Sequence, residues 1–272
     1  MNQIGKVKQY WNDRPCNVRH SKSKFGTKKY FDEIEERKYF VEPHIPYFAN
    51  FEKWHGKKVL ELGCGIGTDS INFARAGSDL TVVELSKESL NIAKKRFKAY
   101  DLKANFLLGN IEELSKFLPI EKYDLIYSFG VIHHTPHPER VMKEIKKYCK
   151  PETEVRIMLY SKWCWKVFWI IAGYGKGMFW KVKSLVPKYS EAQTGSPVTY
   201  IYSFKEVRRL MKDFDVAKMY KDHIFPYVIE DYKKYRYKKV WYFRYLPCFL
   251  FRWLEKRLGW HTLIVAKPKG NE

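Results

Sequence analysis

Paired cysteines, long apolar runs and acidic residues are all scarce in this chain, and each shortage excludes a class of protein. Five scattered cysteines without a Cys-x-x-Cys pair argue against a disulfide framework and against a thiolate zinc site. Their expected role is packing in a reducing, cytoplasmic compartment, and no metal site is expected. The two most aromatic stretches, 163–182 and 233–260, are interrupted by Lys166, Arg244, Pro247 and Arg252. Neither approaches the roughly twenty apolar residues that cross a bilayer. The start MNQIGKVKQYWND is too polar for a secretory signal. Acidic residues number 30 against 51 basic ones, a formal charge of +21. Such a surface attracts an anionic partner: a phospholipid face, a nucleic acid or a phosphorylated small molecule.

The most informative segment present is VLELGCGIGTD at 59–69. An apolar strand runs into three alternate glycines and then a polar helix start. Gly63, Gly65 and Gly67 let the backbone turn sharply and pass close to a ligand, where a Cβ would collide. Thr68 and Asp69 are expected to cap the next helix, whose Ile71, Phe73 and Ala74 face the sheet. The following strand, Asp79 to Glu84, ends in an acid about twenty residues past the first glycine, the place from which a carboxylate reaches a ribose diol. A third strand, Ala104–Leu108, leads into GNIEEL, and a fourth, Tyr123–Ser128, into FGVIHHTPHPE.

These four landmarks, in this order, resemble the class I S-adenosylmethionine-dependent methyltransferases, particularly their small-molecule branch. The resemblance covers residues 57–160 and extends to a last strand at Thr262–Lys267. It implies an α/β, Rossmann-like sheet of seven strands with helices on both faces and the seventh strand antiparallel. It further implies that Glu61 and Gly63 hold the methionine end of the cofactor and that Glu84 binds the ribose hydroxyls. Asn110 and Ile111 would read the adenine, while Cys64, Gly65, Gly67, Leu85, Ser128 and Tyr10 complete the cofactor site. Asn110 departs from the commoner Asp, although an amide oxygen can still accept from the adenine amino group.

Around this core the chain divides into an N-terminal helical segment and lid (1–56), the cofactor-binding core (57–160) and the end of the sheet (203–220 and 261–269). Two insertions, 161–202 and 221–260, leave the edge of the sheet where ligands bind in open α/β folds. Residues 151–272 hold 24 of the basic side chains, 11 of the acidic ones and seven of the nine tryptophans. Aromatics mixed with Lys and Arg suit a segment lying in a membrane interface. The competing reading makes the aromatics insertion core and the cations a solvated rim.

Methyl transfer from a sulfonium needs alignment, exclusion of water and, for a hydroxyl acceptor, a base. His133 and His134 follow the fourth strand and are the candidates, His133 preferred. One imidazole can instead simply brace the loop. Tyr160 and Tyr10 are candidate pocket walls, and Trp11 is read as packing. The reading adopted is a cytoplasmic, membrane-peripheral methyltransferase acting on a small or lipid-like molecule, at oxygen before nitrogen or carbon. Ubiquinone-pathway O-methyltransferases give one model, and methylation of sugar or lipid intermediates of surface polymers fits the residues as well. Its rivals are an RNA methyltransferase, which the charge favours, and a non-catalytic cofactor-binding scaffold.

Overall fold

A computed structural model describes residues 2–189 and 196–270. Seven short runs rich in Val, Leu, Ile, Tyr and Phe form one sheet: β1 (Lys58–Leu62), β2 (Asp79–Glu84), β3 (Asn105–Leu108), β4 (Tyr123–Phe129), β5 (Cys149–Tyr160), β6 (Phe214–Asp222) and β7 (His261–Pro268). Their order is β3-β2-β1-β4-β5-β7-β6. The first five pair in parallel, and β7 runs antiparallel between β5 and β6. This is the seven-stranded mixed sheet that the motif order implies.

Strands buried on both faces read as continuous apolar runs rather than alternating ones. In β4, Leu125 and Tyr127 join one core layer with Val59, Val82 and Phe73, while Ile126 joins the other with Leu60, Val83 and Ile145. Helices cover both layers. The N-terminal segment forms α1 (Gln3–Asp13), α2 (Lys28–Val41) and α3 (His44–Ala49), and the core contributes α4 (Ser70–Arg75), α5 (Lys87–Ala99) and α6 (Pro138–Lys147). α6 ends at Lys147, because Cys149 is drawn into β5 by pairing with Tyr123. Beyond β5 lie α7 (Trp165–Gly173), α8 (Val182–Tyr189) and α9 (Phe204–Leu210), which opens with a Ser203–Glu206 capping box. Between β6 and β7 come α10 (Ile229–Lys233), α11 (Trp241–Arg244) and α12 (Cys248–Leu258).

The aromatic residues of 161–189 and 221–260 divide sharply. Phe243 and Trp260 are buried, whereas Trp163, Trp180, Trp241 and Trp253 are 57, 65, 76 and 55% exposed. Phe179, Tyr245 and Phe249 are exposed with them. The core reading therefore fails for most of the large aromatics here. Among the described residues no helix is long and apolar enough to cross a membrane.

Candidate functional site

The chain leaves β1 toward β2 on one side and reaches β4 on the other, so a crevice opens at the carboxyl ends of β1 and β4, where such sheets bind ligands. A cavity of about 310 Å³ occupies it, lined by residues that include Glu61, Gly63, Cys64, Gly65, Glu84, Leu85, Asn110, Ile111 and His134. A larger, shallow depression of about 570 Å³ lies at the opposite end of the strands. Three of its six lysines are engaged locally: Lys147 with Glu144, Lys150 with Asp124, and Lys122 with the Lys147 carbonyl.

The three loop glycines serve three purposes. At Gly63 a Cβ would stand 2.3 Å from a methyl of Val131, so this glycine makes room for the β4 loop. At Gly67 it would meet Ala93 of α5 at 3.1 Å, a helix-packing constraint. At Gly65 nothing lies within 4 Å, and the missing side chain is cavity space. All three have positive φ, which an L side chain adopts only with strain.

Glu84 folds back over this loop. Its two carboxylate oxygens accept the backbone N–H groups of Gly65 (2.8 Å) and Ser86 (2.9 Å). Burial raises its pKa, and these two N–H groups oppose the rise. Glu61 lies deeper and accepts a 2.5 Å hydrogen bond from the Ser70 hydroxyl. Burial first, and then the negative charge of Asp69, push the Glu61 carboxyl up to about 8. A buried acid pair of this kind is stabilised by a cation. Lys38 of α2 supplies one through its 2.7 Å bridge to Asp69, and Tyr127 donates to the other Asp69 oxygen at 3.0 Å. Asp69 is therefore not the helix cap expected of it. Its backbone is already helical, and its carboxylate is claimed by side chains of α2 and β4.

Three residues assigned to the cofactor from the motif lie behind the wall. Ser128 is fully buried and donates to the Leu62 carbonyl at 3.0 Å, tying β4 to β1. Gly67 packs on α5. Tyr10 is buried edge-on to Trp11, and it is Trp11 that lines the cavity. The packing role expected of Trp11 is thus incomplete, because α1 is pulled over the site when the Ser86 hydroxyl donates to Asn12 at 3.0 Å. Asn110 lines the cavity while its Oδ1 accepts the Glu112 N–H at 3.1 Å.

The two histidines of the β4 loop occupy a single 3-10 turn, Ile132–His134, and part company there. His134 lines the cavity. Its Nδ1 lies 2.8 Å from the Val198 carbonyl, so Nδ1 carries the proton and Nε2 is the basic nitrogen. His133 is fully buried against the Tyr160 ring (centroids 3.7 Å apart), and neither of its nitrogens has a hydrogen-bond partner among the described residues. Burial, reinforced by His134 and Lys166, drives its pKa well below the ordinary value. Tyr160 does line the cavity, stacked on Trp260.

The far wall holds groups that no local motif marks. Glu42, at the end of α2, and His261, at the start of β7, both line the cavity. His44 and His223 stand beside His261. Burial lowers the pKa of His44 to about 3 and those of His223 and His261 well below the ordinary value, leaving the imidazoles neutral.

Residues 59–152 match the methyltransferase-domain family. The ubiquinone biosynthesis O-methyltransferase of Photobacterium profundum is 32% identical over 100 residues, 37% of this chain and 42% of that protein. Its counterpart from Proteus mirabilis is 29% identical over 96 residues, 35% of this chain and 39% of the relative. The matched segment thus spans about two-fifths of the relatives' length. Among solved structures, magnesium protoporphyrin IX methyltransferase from Synechocystis PCC 6803 with bound S-adenosylmethionine superposes with a TM-score of 0.58 at 12% identity, covering 99% of this chain and 98% of that one. TehB from Haemophilus influenzae gives 0.54 at 14% identity, over 88% of this chain and 67% of that one. Residues 59–152 are therefore a methyltransferase domain, set in the fold of the class I S-adenosylmethionine-dependent methyltransferases.

Proposed function

We propose that the chain transfers the methyl group of S-adenosylmethionine to a hydroxyl oxygen of a small or lipid-like acceptor. The observation that carries the cofactor assignment is the cradle at Gly65, where an absent Cβ leaves cavity space between two buried carboxylates, Glu61 and Glu84. When bound, the cofactor supplies a methyl group already activated by its sulfonium, so the protein need only align, desolvate and deprotonate.

The residues divide that work. Glu61, with Asp69 behind it, offers negative charge to the methionine ammonium. Glu84, held by two backbone N–H groups, keeps further lone pairs for the ribose hydroxyls. Asn110 and Ile111 flank the adenine. Because the Asn110 oxygen caps Glu112, its amide N–H₂ and the Ile111 backbone are the groups left to read the base. Trp11 covers the cavity from α1 and keeps water out. His134 takes the acceptor proton on Nε2 while Val198 holds Nδ1–H and fixes the tautomer. His133, one layer back, packs behind Tyr160. Oxygen is favoured as acceptor because the curated relatives named above are O-methyltransferases.

The acceptor is reached at a membrane surface. Trp163, Trp180, Trp241, Phe249 and Trp253 are exposed beside Lys166, Lys181, Arg244 and Arg257, a combination that inserts rings at the headgroup level and attracts anionic lipid.

Purified protein with labelled cofactor, supplied separately with lipid extract, total RNA and water-soluble metabolites, tests the reading. Label in lipid, with sedimentation on phosphatidylserine vesicles in preference to phosphatidylcholine vesicles, is the expected result. Label in RNA would turn the cationic surface into a nucleic-acid clamp. Label in metabolites alone would remove the membrane from the account. Cofactor binding with no labelled product anywhere would leave a non-catalytic scaffold.

A further inference from the structure

We propose that Glu42, His223 and His261 form a binding site for a single divalent transition-metal ion of the zinc type, on the cavity wall facing His134. One ligand atom from each of the three residues lies within 4.8 Å of the other two. Two imidazoles and a carboxylate are a donor set that zinc and similar borderline ions take when a coordination position is left open.

The spacing is specific. His261 Nε2 and a Glu42 carboxylate oxygen are 3.6 Å apart, too far for a hydrogen bond. Two donors each about 2 Å from one ion, at a tetrahedral angle, stand about 3.3 Å from each other. The other nitrogen of His261 is held as a metal ligand's outer nitrogen usually is: Nδ1 lies 2.9 Å from His44 Nε2. With Nδ1–H donating to His44, the Nε2 lone pair points toward Glu42.

His223 supplies a second, independent observation. Its φ of +68° lies in the left-handed region, which L side chains rarely adopt. That backbone is pinned at both ends, since the His223 N–H donates to Asp222 Oδ1 (2.7 Å) and the Trp260 N–H donates to the His223 carbonyl (2.8 Å). The pinned backbone sets the His223 ring against those of His261 and His44, at centroid distances of 4.7 and 5.4 Å. Lys38, the nearby cation of α2, bridges Asp69 at 2.7 Å and its charge is felt at Glu42 as well, so a bound metal ion would share the Glu42 carboxylate with that field. Glu42 and His261 both border the cavity, so the open coordination position faces the acceptor side and suits a hydroxyl or carboxylate oxygen.

Metal binding is read without turnover, so its failure leaves the methyl-transfer proposal standing. Full-length protein is stripped with chelator, dialysed and titrated with Co²⁺ and, in a second series, with Zn²⁺ against a chromophoric chelator. The expected result is one equivalent bound, with visible cobalt bands of four- or five-coordinate geometry. His223→Asn, which tolerates the left-handed backbone, and Glu42→Gln should each weaken binding at least ~100-fold, as loss of one of three ligands to one ion implies. His133→Phe should bind as the wild type does. A cooperative thermal melt and a wild-type far-ultraviolet circular dichroism spectrum confirm the fold of each variant. Absence of a stoichiometric cobalt spectrum in the wild type overturns the proposal whatever the variants do. So does a thiolate-to-cobalt charge-transfer band, which would assign the ion to Cys16 or another thiol, and so does wild-type affinity in folded Glu42→Gln and His223→Asn.

Discussion

Replacing Glu61 with glutamine separates the charge of this buried acid from its shape. Moving the carboxyl from 4.5 to about 8 corresponds to about 5 kcal/mol between its two protonation states. In the free protein at neutral pH it is mostly protonated, and the contact proposed for it with the cofactor's ammonium requires it ionised. Cofactor binding at pH 7 should therefore release close to one proton, measurable as the buffer dependence of calorimetric heats with S-adenosylhomocysteine. Stability follows the same linkage. Because the folded pKa lies above the unfolded one, the contribution is complete below about 4.5 and is lost as pH rises toward about 8. Across that window the free wild type should lose about 1.4 kcal/mol per pH unit relative to Glu61→Gln, roughly 3–6 °C in melting temperature. Glu61→Gln should release no proton and bind S-adenosylhomocysteine about 10- to 100-fold more weakly, the worth of one charge-assisted hydrogen bond. Parallel pH–stability curves together with undiminished affinity in Glu61→Gln would refute the reasoning.

Gly65→Ala should cost the free protein only the backbone strain of its positive φ, about 1–2 kcal/mol, yet weaken cofactor binding more than about tenfold, as read by thermal melts and calorimetry. Gly63→Ala should show the reverse emphasis, with a much larger loss of stability, because its Cβ collides with Val131. His134→Asn should lower kcat by roughly 100-fold or more with little change in KM, whereas His133→Phe should stay within a few-fold of wild type; equal losses would contradict the division of the pair. Arg96 is fully buried with no hydrogen-bond partner for its guanidinium among the described residues; the Phe31 face at 4.9 Å and the negative charge of Glu35 compensate, and burial still lowers its pKa. Arg96→Met should therefore raise the melting temperature, corresponding to about 1–4 kcal/mol; a lower melting temperature would show that the ring contact outweighs burial of the charge.

The parts of the site legible in the sequence are those fixed by local sterics. Three alternate glycines after an apolar strand, and an acid at the end of the next, follow from backbone turn and strand length alone, and Gly65 and Glu84 meet as that pattern implies. Legibility ends where tertiary partners decide. Asp69 has the sequence position of a helix cap, but Lys38 and Tyr127 arrive from elsewhere and claim its carboxylate. His133 and His134 are neighbours whose directions are set by a one-turn 3-10 helix, and no periodicity distinguishes the cavity-lining ring from the packed one. Trp11 and Tyr10 exchange roles for the same reason. The imidazole cluster is not legible at all: His44 and His261 are 217 residues apart, and only the docking of α3 against β7 brings them together.

The central claim is that the cavity at the carboxyl ends of β1 and β4 is the cofactor site. Equilibrium binding of S-adenosylhomocysteine to wild type and to Gly65→Val tests it most directly, because that side chain would project into the cavity without meeting protein within its first atom. The account predicts one site in the wild type and no measurable binding by the folded variant. Binding of equal affinity by both proteins would place the cofactor elsewhere and contradict the account.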